Sequence, residues 1–308
     1  MRSQRGVAAI TAILIVAVAA TAATLMLSQQ SAMLGQTALV TARAQADLYA
    51  RAGIDWSRGI LAADAARSGT YDGLDEDWAQ PLAAMPVERA VVSGAIEDEQ
   101  GKFNLNNLVD GNSRSEADVL AFQRLLASLG LPLELADAVV DWIDLDNDLS
   151  GSGGAEDPYY LSLARPYRAA NAPMVQVEEL YRVRGFDAAT VAKLRPYVTA
   201  LYAGPGKPIP VNVNTAPDLV LAAMMPAMSK GKIDAFIAVR AREPLRNAAQ
   251  LAAWVQGLPG GPPTSIGVTS SFFSVRIRVS QDDVQLAQDA VLQRTAGNVA
   301  VVWRRPIY

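Results

Sequence analysis

The chain has 308 residues, and its 27 lysines and arginines against 31 aspartates and glutamates give a formal net charge of -4. This balance argues against bulk attraction to nucleic acid or to anionic lipid. The sequence contains no histidine and no cysteine, which excludes serine-histidine and cysteine-histidine nucleophile systems, disulfide bonds and zinc sites built on imidazole.

The first predicted element is a membrane-spanning helix. Residues 7–27 carry no charge, and Arg2 and Arg5 precede them. A helix of this length spans about 31 Å, which matches the apolar core of a bilayer. Because both cations lie before the apolar run, the positive-inside bias predicts a cytoplasmic N-terminus and export of everything after about Gln29.

A cleaved secretory signal peptide is the alternative interpretation of this segment. The small residues Thr21, Ala22 and Ala23 offer a cleavage site. The apolar region of a signal peptide is about 7 to 15 residues long, however, and this one is longer and continues into helical sequence.

The next elements are a stalk and a first group of strands. Residues 31–67 are rich in alanine, leucine and glutamine and lack proline, so we expect the membrane helix to continue into solvent. Residues 69–86 are acidic and typical of a loop. Residues 87–100 are partly β-branched and predict one or two strands.

A helical region follows, over residues 115–202. Apolar residues recur there at spacings of three and four, and Gly130 ends the first helix; they are Val119, Phe122, Leu125, Leu126 and Leu129. The glycine- and proline-rich segment 204–210 separates this region from further helices predicted at 217–228 and 233–242.

The chain closes on strands. Polar and apolar residues alternate over 273–279, which predicts a strand with one face in water. Residues 284–294 and 299–303 repeat this pattern.

Two segments of the chain resemble each other. The sequence FNLNNL at 103–108 is similar to VNVNTA at 211–216, and helices are predicted after each. Asparagine and threonine are favoured helix caps. The two segments are therefore either copies of one unit or unrelated turns that use the same capping residues.

The densest group of chemically active side chains is an acidic loop. It contains Asp141, Asp144, Asp146, Asp148, Glu156 and Asp157, with glycines at 151, 153 and 154. These carboxylates repel one another, and glycine makes the loop expensive to order, so a bound cation would compensate. Calcium prefers six to eight oxygen ligands, and alternating aspartates can supply several of them.

The loop departs from the EF-hand pattern, since Leu149 occupies the expected glycine position and Glu156 lies one place beyond the expected glutamate. We therefore expect a calcium loop of another kind. A solvated acidic loop without a metal is one alternative. A glycoside hydrolase site is another, with Trp142, Tyr159 and Tyr160 near the paired carboxylates.

A second motif, EELYRVRGFD at 178–187, is similar to one half of a helix-hairpin-helix. Such a glycine turn can present backbone N–H groups to a phosphate. The acidic Glu178, Glu179 and Asp187 offset Arg182 and Arg184, however, so a hairpin used for packing is favoured over DNA binding.

The N-terminus resembles a class III, type IV pilin-like signal. The matching residues are Gln4, Arg5, Gly6, Val7, Ala8 and Ala9, followed by the apolar helix. This resemblance implies that a prepilin peptidase cuts between Gly6 and Val7 and that the new N-terminus, Val7, is methylated. Relatives usually have glutamate at the fifth mature position, where this chain has Thr11. That glutamate pairs with the N-terminal ammonium of the subunit above it in the fibre. A subunit that has no subunit above it does not need this glutamate.

Over almost its whole length the chain resembles the minor pseudopilin K family of type II secretion systems. The residues that carry the resemblance, besides the leader, are GKFNLNNL from Gly101, DWIDLD from Asp141, GAEDPYY from Gly154, the NAP and EEL of residues 171–180, NVNTAP from Asn212 and the C-terminal VVWRR.

The resemblance implies an α+β fold with a type IV pilin-like N-terminal helix and antiparallel sheet. A large all-α inserted domain, similar to SAM and helix-hairpin-helix domains, interrupts this body. The expected units are a leader (1–6), a transmembrane helix (7–29), the stalk and first strands (30–110), the inserted helical domain (111–205), a second helical subdomain (206–265) and the C-terminal strands (266–308).

The family also implies a mechanical role and not an enzymatic one. The expected partners are the minor pseudopilins I and J, with H, in a tip complex that primes pseudopilus assembly, together with the major pseudopilin and prepilin peptidase. We expect a single pass through the inner membrane, a periplasmic C-terminal domain and no nucleic-acid partner. By this resemblance, the residues expected to bind calcium are Asp144, Asp146, Asp148, Glu156 and Asp157. An exported DNA-binding protein and a periplasmic hydrolase are the alternatives.

Overall fold

The computed structural model describes residues 4–67, 69–256, 265–296 and 298–307. Residues 1–3 of the expected leader lie outside these ranges. The described helices are α1 (Gln4–Arg67), α2 (Glu116–Ser128), α3 (Leu135–Ile143), α4 (Asp157–Leu161), α5 (Ala188–Leu194), α6 (Asp218–Met224), α7 (Lys230–Arg240) and α8 (Ala248–Val255). The described strands are β1 (Leu82–Val87), β2 (Ala90–Asp98), β3 (Phe103–Asn104), β4 (Val109–Asp110), β5 (Ser113–Arg114), β6 (Val198–Thr199), β7 (Val211–Asn212), β8 (Ile266–Gly267), β9 (Phe272–Gln281), β10 (Val284–Thr295) and β11 (Asn298–Ile307).

The expected membrane segment and stalk form one continuous helix, α1, of 64 residues. At about 1.5 Å per residue it is about 96 Å long. Its N-terminal part, from Val7, is long and apolar enough to cross a membrane. Side chains from Val7 to Thr41 are all exposed, and Ala42 is the first to be buried. The predicted continuation of the membrane helix into a stalk is therefore confirmed.

The C-terminal part of α1 packs on an antiparallel sheet of five strands, in the order β1-β2-β9-β10-β11. Ala46 and Ala50 have no exposed surface, and these small residues one helical turn apart let the helix approach the sheet closely. On β9 the predicted alternation is confirmed, because Val275, Ile277 and Val279 are buried in this core whereas the arginines between them are exposed. We call the sheet and the packed part of α1 the pilin-like body.

A helical domain, residues 99–271, interrupts this body between β2 and β9. It consists of two units of similar topology. The first begins with β3 and ends with β6, and these strands pair in parallel. The second begins with β7 and ends with β8, which also pair in parallel. Each unit therefore brings its own two ends together.

The two similar segments of the sequence occupy equivalent positions in these units. Asn106 donates to the carbonyl of Met174 (2.9 Å) and accepts from its N–H (2.8 Å). Asn214 makes the same pair of hydrogen bonds with Leu245, both of 2.9 Å. In each case the buried amide side chain donates through its NH2 group and accepts through its oxygen, both with the backbone of the same residue. These paired hydrogen bonds fix the loop that follows the first helices of each unit. This shared geometry favours two copies of one unit over unrelated turns.

Some elements differ from their predicted extent. The loop expected up to residue 86 ends earlier, because β1 begins at Leu82. Helix α8 was not predicted. The helical domain, expected to begin at 111 and to be all-α, begins at 99 and holds two-residue strand pairs. These short strands occupy the segments around the asparagines, where the alternating pattern is too brief to be distinguished from a helix start.

A buried polar network joins the distal end of α1, the sheet and the helical domain. Arg294 on β10 forms an ion pair of 2.9 Å with Asp64 on α1 and a second one with Asp72 in the following loop. Glu76 completes a group of three buried carboxylates. Burial raises the pKa of Asp64 to about 6, with the charge of Glu76 as the next cause. Burial also raises the pKa of Asp72 to about 6, against the opposing effect of Arg294.

This network predicts how stability depends on pH. Asp64 and Asp72 bind protons more tightly in the folded chain than in the unfolded chain, so their contribution is fully present below about pH 4 and is lost as the pH rises through about 6. Replacing Asp64 or Asp72 by asparagine should reduce this pH slope by up to about 1.4 kcal/mol per pH unit for each carboxylate. Urea unfolding of the detergent-solubilised protein between pH 4 and 7 measures it.

The exposed carboxylate of Asp218, replaced by asparagine, is the control, and it should leave the slope unchanged. A slope that is the same in the Asp64→Asn and Asp72→Asn variants as in the unchanged protein would contradict the assignment.

Candidate functional site

The acidic loop connects two helix ends in the first helical unit. Asp141 lies in the last turn of α3, Asp144 is the residue that follows this helix, and Glu156 immediately precedes α4. All nine residues of α3 are buried, so the helix fixes the start of the loop firmly in the core. Carboxylate oxygens of Asp141, Asp144 and Glu156 lie within 4.8 Å of one another. We call these three residues the carboxylate triad.

The triad is buried and incompletely hydrogen-bonded. Asp141, Asp144 and Glu156 are 0%, 5% and 2% exposed. Oδ2 of Asp141, Oδ1 of Asp144 and both side-chain oxygens of Glu156 are buried without a hydrogen-bond partner. Oδ1 of Asp141 does accept a hydrogen bond of 2.9 Å from the N–H of Ser150. Buried carboxylates without partners are strongly unfavourable, so the site requires bound protons or a bound cation.

Burial and mutual repulsion raise the pKa values of the triad carboxyl groups. Burial, followed by the charges of Asp146 and Asp141, raises the pKa of Asp144 to about 7. Burial, followed by the charges of Asp141 and Asp144, raises the pKa of Glu156 to about 8. The pKa of Asp141 is also raised by burial. Near neutral pH Asp144 and Glu156 therefore retain protons that carboxylates in water would have lost.

The five predicted calcium ligands divide into two groups. Asp144 and Glu156 belong to the triad. Asp146 instead accepts hydrogen bonds of 2.8 Å from Asn112 and from the N–H of Asp148, whose own side chain is exposed. Asp157 accepts from the N–H of Ala169 (3.1 Å) and lies 3.4 Å from Arg168.

Asp141 is the triad member that was not in the predicted ligand set. It precedes Asp144 by three residues at the end of a helix, and residues three apart lie on the same helical face. Combining the helical pattern of residues 135–143 with the loop sequence would have indicated it.

Side chains from outside the loop hold it in place. Arg114 donates to Asp137 (2.9 Å) and to the carbonyl of Ser150 (2.8 Å). Asn171 donates to the carbonyl of Asp146 (2.9 Å). A Cβ atom on Gly154 would collide with the carboxylate of Asp141, so glycine is required where the loop passes closest to the triad. The loop is thus preorganised and not merely solvated.

The aromatic residues named for the hydrolase alternative belong to a packed cluster. Trp142 and Tyr160 are buried and meet edge to face, with their rings 5.3 Å apart. Tyr159 lies under the guanidinium of Arg184, 5.1 Å from its ring centre. These contacts pack the rings against other parts of the chain.

The helix-hairpin-helix-like motif is likewise engaged within the chain. Gly185 has a φ of 84° and makes the turn into α5. Arg184 donates to the carbonyl of Gly154 (2.8 Å). Glu178 forms ion pairs with Arg195 (2.9 Å) and with Arg305 on β11 (2.7 Å). The motif therefore attaches the first helical unit to the sheet and supports the acidic loop.

The expected cleavage site lies in the first turns of α1, between Gly6 and Val7. Four residues after Val7, the hydroxyl of Thr11 donates to the carbonyls of Val7 (3.1 Å) and Ala8 (3.0 Å). This hydroxyl is satisfied within its own helix and requires no partner from another subunit.

Comparisons with known proteins agree on one family. Two family models described as type II secretion system, protein K, match residues 101–203 and 211–275, which together are more than half of the chain. The chain is 35% identical to type II secretion system protein K of Pseudomonas aeruginosa, over 95% of this chain and 90% of that protein. It is 31% identical to the protein K of Aeromonas hydrophila, over 99% of this chain and 97% of that protein.

A solved structure shares the fold. The crystal structure of the GspK-GspI-GspJ complex from enterotoxigenic Escherichia coli matches with a TM-score of 0.75 and 21% identity, over 89% of this chain and 99% of the matching chain. The expected α+β fold, with a long N-terminal helix and an antiparallel sheet, is confirmed. The family models and the relatives that span nearly the whole chain also confirm the resemblance found in the sequence: the chain belongs to the protein K family of type II secretion systems.

Proposed function

We propose that this protein is the minor pseudopilin at the tip of the type II secretion pseudopilus, where it primes assembly with the minor pseudopilins I and J, and with H, for protein export across the outer membrane. The observation that carries this proposal is the position of the helical domain. The domain leaves the sheet after Asp98, at the end of the body where α1 finishes, which is the end far from the membrane. A domain of that size blocks the position that a subunit above would need.

The residue at the fifth mature position supports the same role. In filament subunits a carboxylate within the bilayer is tolerated because it pairs with a charge on a neighbouring subunit. Thr11 uses its hydroxyl within α1 instead. A subunit built this way joins a bundle of partner helices through packing alone and is pushed outward as the major pseudopilin adds beneath it. The role is mechanical and not enzymatic.

The tip position predicts a labelling pattern. A gold-binding tag inserted between the exposed Ala164 and Arg165, in the helical domain, should label purified pseudopili at one end only. Electron microscopy measures this directly. The same tag placed on the major pseudopilin is the control and should label the whole fibre. Labelling of this protein along the fibre would contradict the proposed position.

Processing of the N-terminus is part of the proposal. Prepilin peptidase removes residues 1–6 on the cytoplasmic side of the inner membrane and Val7 becomes the methylated N-terminus, leaving the body in the periplasm. The mass of the purified protein should therefore correspond to a chain that begins at Val7 and carries one methyl group.

Gly6→Val should block this cleavage, because the bulkier side chain obstructs the peptide bond at which the peptidase acts. Gly35→Val is the matched control, since Gly35 is an exposed glycine in the same helix with open space around it. Cleavage that persists in Gly6→Val would place the cut elsewhere.

Calcium binding at the triad is the remaining part of the proposal. The triad residues Asp141, Asp144 and Glu156 would hold the ion through the four oxygens that lack hydrogen-bond partners. Backbone carbonyls and water would complete the six to eight oxygens that calcium prefers. Asp146, Asp148 and Asp157, which lie outside the triad, add negative charge that attracts the cation. When bound, calcium fixes the loop between α3 and α4.

Calcium should stabilise the protein. At a concentration one hundred times the dissociation constant the gain is about 2.7 kcal/mol, which corresponds to a melting temperature higher by about 5 °C. Asp144→Asn combined with Glu156→Gln should abolish this shift. In the presence of chelator the double variant should melt above the unchanged protein, because neutral amides relieve the repulsion between the buried carboxylates.

Asp148→Asn is the control, since this exposed loop carboxylate lies outside the triad. It should retain most of the shift. An equal loss of the shift in Asp148→Asn and in the triad variant would show that the loop's overall charge, and not the triad, binds the ion.

A further inference from the structure

Residues 171–184 connect the acidic loop to the sheet. They contact the loop at both of their ends, through Asn171 and Arg184, and the sheet between these ends, through Glu178. A short 3₁₀ helix, Val177–Arg182, is their only regular structure. A segment with so little regular structure takes its position from its contacts with the elements around it. We call residues 171–184 the connecting segment.

Asn171 fixes the backbone on both sides of Asp144. Its N–H donates to the carbonyl of Trp142 (3.0 Å), and its side-chain amide donates to the carbonyl of Asp146 (2.9 Å). Trp142 and Asp146 lie two residues before and two residues after this triad member. Asn171 has a φ of 42°, a left-handed conformation that asparagine adopts more readily than most residues. Asn171 therefore positions Asp144 relative to the end of α3.

Arg184 fixes the chain on both sides of Glu156. Its guanidinium donates to the carbonyl of Gly154 (2.8 Å) and lies 5.1 Å from the ring centre of Tyr159. Gly154 lies two residues before this triad member, and Tyr159 lies three residues after it. The two ends of the connecting segment therefore bracket two of the three triad carboxylates, Asp144 and Glu156.

The middle of the connecting segment is attached to β11. Arg305 donates to the side-chain oxygens of Gln176 (2.9 Å) and Glu178 (2.7 Å). The Arg305 and Glu178 side chains are 32% and 28% exposed, so water and salt screen this ion pair less than one on the open surface. The segment that holds the acidic loop therefore also holds the first helical unit on the sheet.

The acidic loop is the element whose order a bound ion would change. Four oxygens of the triad are buried without a hydrogen-bond partner among the described residues, so a cation that binds them would order the loop. An ordered loop holds both ends of the connecting segment. Less conformational entropy then remains to be lost when Arg305 binds the middle of the segment.

We propose that the connecting segment couples calcium binding at the triad to the attachment of the first helical unit to β11. This inference rests on the calcium site of the proposed function and deepens it by naming what the ion controls. Coupling between two sites is reciprocal. If calcium strengthens the contact with Arg305, loss of that contact must weaken calcium binding by the same factor.

Calcium affinity of the detergent-solubilised full-length protein, measured by isothermal titration calorimetry, tests this coupling. Arg305→Gln should weaken calcium binding about three- to tenfold, although Arg305 lies on the sheet and not in the loop. Arg305→Lys should retain most of the affinity, because it keeps the charge that pairs with Glu178. Arg304→Gln is the matched control, since Arg304 is the exposed neighbour on the same strand. It should leave the affinity unchanged.

A second background separates coupling through the segment from other effects of Arg305. Asn171→Gly combined with Arg184→Gln removes both side-chain contacts with the loop, and glycine adopts the φ of 42° without strain. In this background Arg305→Gln should change calcium affinity by less than about twofold. Asn112→Ala is the control background, because it removes another side chain that is bound to Asp146 (2.8 Å). It should preserve the full effect of Arg305→Gln.

Hydrogen exchange gives a readout that does not depend on affinity. In the unchanged protein, saturating calcium should slow amide exchange at residues 177–183 as well as in the acidic loop. In the variant that combines Asn171→Gly with Arg184→Gln, the slowing should be confined to the loop.

Two outcomes would overturn the coupling. One is unchanged calcium affinity in Arg305→Gln, and the other is an equal loss in Arg304→Gln, which would trace the effect to charge alone. If the unchanged protein binds no calcium, the proposed calcium site fails and the coupling fails with it. If calcium binds and Asp144→Asn with Glu156→Gln abolishes binding, but Arg305→Gln has no effect, only the coupling fails.

Discussion

The chain passes from the pilin-like body into the helical domain and later returns to the sheet. The buried carboxylate of Asp98 holds both of these connections in place. It accepts hydrogen bonds from Asn212 (2.9 Å) and Thr215 (2.6 Å), in the second helical unit, and from Ser270 (2.7 Å), where the chain returns to the sheet. Burial raises the pKa of Asp98, and these donors oppose that rise. One carboxylate therefore holds together segments that are far apart in sequence, and its hydrogen bonds make the connection between the two substructures rigid.

Two groups of three buried carboxylates among the described residues differ in how their charge is balanced. At the end of α1, Arg294 reaches between Asp64 and Asp72, and its guanidinium also lies 4.8 Å from the ring centre of Phe273. The carboxylate triad has no such cation among the described residues. A charge supplied by the chain is permanent, whereas a charge supplied by a metal depends on its concentration. The first arrangement therefore suits the permanent junction of the body, and the second would make the order of the loop depend on the proposed calcium ion.

Much of the body could be predicted from sequence because its signals are local. The uncharged run of α1 and the alternation along β9 each need only a short window. The triad could be predicted only in part. The alternating aspartates of the loop suggested Asp146 and Asp148, which lie outside the triad, whereas Asp141 at the end of α3 belongs to it. The pairing of Arg294 with Asp64 joins residues some 230 positions apart, and no periodicity encodes such a contact. The asparagine contacts of the helical units belong to the same class, since their partners are backbone groups of distant loops.

The pairing of β2 with β9 has a consequence for the order in which the chain folds. These neighbouring strands are in register up to Asp98 and Phe273, so the ends that carry the helical domain lie one strand spacing apart, about 5 Å. The domain can therefore be accommodated without distorting the sheet. The sheet, however, cannot close until β9, which begins at Phe272, is available to pair with β2. Each helical unit closes on its own parallel strand pair, so the domain can fold first while the hairpin of β1 and β2 still has an unpaired edge. That exposed edge, and not the helical domain, is the part of the emerging chain most in need of protection from aggregation.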